Sequence, residues 1–95
     1  MDTENNIQQT LVSTLDALGM TMEELQTDSR ETNVVDARTL LAARLKDCHG
    51  TLQADIANML GLTQAAVSKM LARHRSMLLY NAPYRHKWER IRSRV

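Results

Sequence analysis

Phenylalanine is absent from this chain, and one tryptophan and two tyrosines make up its whole aromatic content. Three glycines and a single proline in 95 residues leave few tight turns, and strands lose the aromatic residues they favour. An all-α fold of about six helices follows, as one domain over residues 1–95. Cys48 is the single cysteine, which excludes an intrachain disulfide and points to a reducing compartment. No apolar run approaches the roughly 20 residues that a membrane-spanning helix needs. The opening residues, Met1 to Asn6, are acidic where a secretory signal is basic, so the expected setting is cytoplasmic, with no membrane partner.

Other absences bear on chemistry. There is no glycine-rich loop ending in lysine to cradle a phosphate, so no ATPase domain is expected. Carboxylates are numerous but scattered. Cys48 and His49 are neighbours in sequence and point apart at a helix end, so they form no nucleophile and base. His74 and His86 lack a second ligand at metal spacing, and Cys48 reads as a thiol at the edge of the core. The expectation is a protein without catalytic residues, metal or cofactor.

Charge is present, and its placement matters more than its sum of +1. Residues 1–47 hold four cationic side chains against nine carboxylates, a net −5, whereas residues 48–95 hold eight against two, a net +6. A basic half suits a polyanion, because phosphate neutralisation supplies most sequence-independent affinity for nucleic acid.

Along the chain, Ile7, Leu11, Val12, Leu15 and Leu18 recur at helical spacing from Asn5 onward, and Gly19 ends that helix. Thr21 followed by Glu24 is a capping box for a short helix from Met22 to Gln26, with Leu25 inward. Residues 27–33 are polar and aperiodic, a loop whose single cation is Arg30. Asn33 is the expected cap of a third helix, with Asp36 favouring its start. Val34, Ala37, Leu40, Leu41 and Leu45 then predict a central helix to about Asp47, closed by His49 and Gly50.

Thr51 opens the next helix, and residues 53–72 read as a helix-turn-helix. Ala57 supplies the small side chain that a close crossing needs, and Gly61 four residues later can turn left-handed. Ile56, Leu60, Leu62, Val67 and Met70 fall on the inward side, with Met59 and Met70 filling the crossing. Thr63 caps the second helix, whose outward face is Gln64, Ala65, Ser68, Lys69 and Ala72. Such a face fits the major groove: Gln64 can pair with an adenine edge, and Ala65 or Ala66 can meet a thymine methyl. Lys69 and Arg73 are placed to meet phosphates.

Met77, Leu78, Leu79 and Tyr80 form an apolar run that needs cover. Asn81 and Pro83 open a last, basic amphipathic helix over 81–95, because asparagine caps well and proline is tolerated in a first turn. Its stripe is Tyr84, Trp88, Ile91 and Val95. Packing on its own domain is the expected use, and a homodimer contact through Tyr84, Trp88 and Ile91 is the alternative.

This order of elements over about residues 5–79 resembles the C-terminal DNA-binding domain of the bacterial replication initiator DnaA, within the Trp repressor-like helix-turn-helix superfamily. The resemblance rests on Gly19 to Leu25, the loop with Arg30, Val34 to Leu41, Leu52 to Ile56 and Thr63 to Val67. It implies that Arg30 enters an A·T-rich minor groove and that Arg38 and Lys46 touch phosphates. Residues 63–66 align with the family's Asp-His-Thr/Ser-Thr signature but read Thr63, Gln64, Ala65, Ala66, a kept scaffold with a changed reader.

The functional expectation is a sequence-specific double-stranded DNA-binding protein, a replication-initiator-like or transcriptional regulator without ATPase activity. Two rivals stand beside it. One is a protein-interaction module using the last helix, and the other is a Trp repressor-like dimer.

Overall fold

A computed structural model describes residues 3–93, and they form six helices: α1 (Thr3–Leu18), α2 (Met22–Leu25), α3 (Thr32–His49), α4 (Gln53–Leu60), α5 (Gln64–Tyr80) and α6 (Ala82–Ser93). No strand occurs among the described residues. The 18-residue α3 is the central element, and each of the other five helices packs against it. Leu40, Leu41, Ala42 and Leu45 are fully enclosed, because α3 is covered on several sides at once. No described helix is long and apolar enough to cross a membrane.

Local chemistry accounts for most of the ends. Thr21 Oγ1 accepts from the Glu24 amide at 3.2 Å and donates to its carboxylate at 3.3 Å, so α2 starts at its capping box. Gly50 and Gly61 both adopt the left-handed conformation after their helices, with φ of 60° and 67°. Past Gly61, the Leu62 amide donates back to the Ala57 carbonyl at 2.9 Å, closing the turn between α4 and α5. Thr63 Oγ1 accepts from the Ala66 amide at 3.1 Å, and Asn81 Oδ1 from the Tyr84 amide at 3.0 Å.

Five local expectations need correcting. Glu31, not Asn33, occupies the N-cap of α3; Asn33 lies one residue inside the helix and accepts from the Val34 amide at 3.0 Å. Thr51 does not open α4, which starts at Gln53 after Leu52. Instead Thr51 is buried and donates to the Leu45 carbonyl at 3.1 Å, tying the α3 terminus to the next turn. Val12 is 60% exposed, because α1 turns Leu11 and the buried Thr14 toward the core, and a residue adjacent to Leu11 faces away. Cys48 is exposed rather than at a core edge. The Met77 to Tyr80 run is only half covered: α5 continues straight through it, and Leu79 and Tyr80 remain 70% and 85% exposed.

The last helix docks on its own domain. Tyr84, Trp88 and Ile91 are buried, and α6 packs on α1, α3 and α5. Those three side chains are thereby unavailable as a dimer surface unless α6 undocks. Val95 and Arg94 lie outside the described residues. The dock is built on a group that periodicity alone does not reveal: His74 of α5 is buried, with Nδ1 2.6 Å from the Tyr84 hydroxyl and its ring 4.5 Å from Trp88, edge-on. Burial holds the imidazole below its ordinary value; Asp47 opposes this and Arg75 adds to it. Burial also pushes the Tyr84 hydroxyl upward, with Asp36 adding to the rise and Arg73 opposing it, so it stays protonated.

Two outcomes are expected. Replacing Trp88 with alanine should cost about 3–5 kcal/mol, read as a thermal midpoint lowered by at least about 12 °C in circular dichroism. A helix hanging free of the domain would leave the midpoint unchanged. For His74, the folded state disfavours the imidazolium while the unfolded chain protonates near its ordinary value of about 6.5. The unfolded state therefore binds the extra proton. Stability should be complete above that value and decline as pH falls below it, and urea midpoints at about pH 7.5 and 5.5 should show the loss. His74→Gln should flatten that dependence.

Candidate nucleic-acid interface

The first turns of α5 present the predicted outward face. Thr63, Gln64, Ala65, Ser68, Lys69 and Ala72 are all exposed, and Ala66 is half-buried. What aims them outward is the opposite side of the same helix: Val67 and Leu71 are buried in the core, and Met70 packs against it. The helix therefore has one rotational setting. α4 holds that setting from behind through Ile56, Ala57 and Leu60, all buried, with Ala57 small enough to let the two backbones approach.

The loop between α2 and α3 meets this helix pair at the α4–α5 turn. Thr27, Ser29 and Arg30 line one shallow groove together with Arg38 and Leu62, the residue before the Thr63 cap. Gln26 reinforces the junction by donating its Nε2 to the Met59 carbonyl at 2.7 Å. Within the loop, Thr27 Oγ1 donates to the Glu24 carbonyl at 2.8 Å, and the Glu31 amide donates to Ser29 Oγ at 3.3 Å. Arg30 is exposed at the tip of this hydrogen-bonded loop, beside Asp28. The fold thus gathers Arg30 with the start of α5, two features that lie more than 30 residues apart in sequence.

Two of the expected phosphate contacts have other partners. Arg38 donates through Nε to the Leu25 carbonyl at 2.6 Å and through Nη2 to the Thr27 carbonyl. Its guanidinium closes α2 and pins the base of the Arg30 loop. Arg73 pairs through Nη2 with the buried Asp36 at 2.8 Å and reaches Thr39 Oγ1 at 3.5 Å. A buried carboxylate without a cation carries a large desolvation cost, so this pair joins α3 to α5. Asp36 sits four residues before Leu40 on the inward side of α3, and a carboxylate on an apolar stripe is the signal that calls for a buried partner. The place of Asp36 near the start of α3 hides that signal behind a helix-start role. Lys46 is exposed but lies at the other end of α3, in a groove with Arg75 and Trp88 rather than beside Arg30.

Other reactive groups are separate. His49 Nε2 lies 2.7 Å from Thr10 Oγ1, which ties α1 to the end of α3. Among the described residues no three His, Cys, Asp or Glu side chains are grouped to hold a metal ion.

Because Asp36 is left buried without its partner, Arg73→Met should destabilise the fold by about 1–3 kcal/mol in urea denaturation. Adding Asp36→Asn should recover part of that loss; a loss under about 0.5 kcal/mol would mean that the pair has no structural role. Comparison with known proteins matches this chain to no protein-family model, no curated protein and no solved structure, so the interface rests on its own geometry.

Proposed function

We propose that this chain binds double-stranded DNA in a sequence-dependent way through a helix-turn-helix formed by α4 and α5. The observation that carries the reading is the exposed, short-chained face of Gln64, Ala65, Ser68 and Lys69, held in one rotational setting by Val67 and Leu71. An α-helix enters the major groove only where its leading side chains leave room for the base edges, and this face does. Gln64 offers an amide to an adenine edge, Ala65 and Ala66 offer methyl contacts, and Lys69 offers a phosphate contact. Arg30, beside the same turn, is placed to follow the adjacent minor groove. The layout fits a DnaA-like scaffold whose reading residues have changed, in a replication or transcription regulator with no ATPase activity.

Arg38 and Arg73 enter this reading as positioning residues, since their guanidinium groups are bound within the domain. A second reading is favoured by one observation: Leu79 and Tyr80 stay exposed side by side at the end of α5. An apolar pair of that kind suits a protein contact, either with a second copy or with another chain.

The test is binding to random-sequence duplex at two salt concentrations, followed by selection of tight sites. Affinity should fall steeply with salt, and Arg30→Gln and Lys69→Gln should each reduce the log–log salt slope by about 0.9. Gln64→Ala should relax preference at one base pair by about 1–3 kcal/mol while leaving the slope intact. Full affinity in both charge variants, or no binding at low salt, would sink the DNA reading and leave the Leu79 and Tyr80 contact as the surviving one.

A further inference from the structure

On another side of α5 from the exposed reading face, a cavity of about 380 Å³ opens between the ends of α3 and α6. Leu71, Leu78, His74 and Trp88 form its apolar floor. Lys46, Arg75 and Arg92 stand on its rim, all exposed, with Asp47 as the one carboxylate there. The Arg92 guanidinium lies 6.0 Å from the centre of the Trp88 ring, so one cation already overhangs the aromatic floor.

The floor also holds an unused hydrogen-bond group. Tyr84 is buried, its hydroxyl must donate to something, and among the described residues its one hydrogen-bond partner is His74 Nδ1. Nδ1 of a neutral imidazole that accepts this proton has no hydrogen of its own, and the ring hydrogen sits on Nε2. No described group hydrogen-bonds Nε2, and it is not sealed from solvent. The cavity therefore combines an apolar floor, whose only N–H groups belong to the His74 and Trp88 rings, with a rim of three cations against one anion.

We propose that this cavity is a binding site for a small organic anion with a flat apolar body, an aryl or arylalkyl carboxylate being the class that fits. The body would lie on Trp88, Leu71 and Leu78, and the carboxylate would accept from His74 Nε2 and face the rim cations. A bare phosphate satisfies the donors and leaves the apolar floor wet; a neutral aromatic covers the floor and leaves the cations without a counter-charge. The volume lies at the small end of ligand pockets, which favours a single ring system over a long chain. This site is independent of whether the chain binds DNA.

Trp88 is the only tryptophan, so its emission reports occupancy directly. The probes are benzoate, phenylacetate and indole-3-acetate, the last read by calorimetry because it fluoresces itself, with phenylacetamide and inorganic phosphate as controls. At least one of the carboxylates should bind saturably, and phenylacetamide should bind about tenfold more weakly than phenylacetate, as loss of a charge-assisted contact predicts. Arg75→Gln and Arg92→Gln, both at exposed positions that leave folding intact, should each weaken the carboxylate about two- to fivefold. Three results would overturn the assignment: no saturable binding by any of the three carboxylates, equal binding of phenylacetamide, or phosphate binding as tightly as the carboxylates. Tighter binding of an acidic peptide bearing one phenylalanine than of every free carboxylate would overturn it too, in favour of a peptide groove.

Discussion

Everything in this fold depends on enclosing α3. A chain with one tryptophan, two tyrosines and no phenylalanine has few large rings with which to fill gaps, so its helices must come close instead. Ala37, Ala42 and Ala43 make that approach feasible on α3, and Ala57 does the same on α4. Leu40, Leu41 and Leu45 then fill the space between neighbours with no exposed surface. Buried aromatic rings are concentrated in one place, the α6 dock, where Tyr84 and Trp88 close over His74.

That arrangement also sorts the cations. The excess of positive charge in residues 48–95 suggests a broad polyanion-binding surface, yet several arginines are held inside the domain. Arg73 neutralises Asp36, Arg85 donates to the Leu78 carbonyl at 2.8 Å, and Arg38 in the acidic half holds two loop carbonyls. The exposed cations fall on different parts of the surface: Arg30 and Lys69 near the start of α5, Lys46, Arg75 and Arg92 around the Trp88 cavity, and Arg90 beside Lys87 in a third groove. Charge counted along a sequence cannot make this division, because a guanidinium bound to a carbonyl three turns away counts the same as one in water.

Positions with a local cause were legible in the sequence. Thr21, Thr63 and Asn81 cap the helices they were expected to cap, since a cap needs only the next three residues. The outward face of α5 followed from the spacing of Val67 and Met70, and the structure exposes all five of its residues. The stripe on α6 was also legible, but its docking surface was not. Two positions on α3 were not legible locally: the helix starts after Glu31, whose side chain makes no cap hydrogen bond, rather than after Asn33, and Asp36 serves Arg73 rather than the helix start.

The sequence by itself determined the all-helical class, the order of six helices, most of their ends and the side of α5 that faces outward. These follow from periodicity and caps, whose interactions span about four residues and need no knowledge of neighbours. Only the tertiary structure decided that α6 packs on its own domain, that Arg38 and Arg73 are internal ties, and that Arg30 stands beside the turn before α5. It alone also placed His74, Tyr84 and Trp88 beneath a cationic rim. Those relations join helices far apart along the chain, and their free energies come from burial and charge pairing that exist only once the helices have closed around α3.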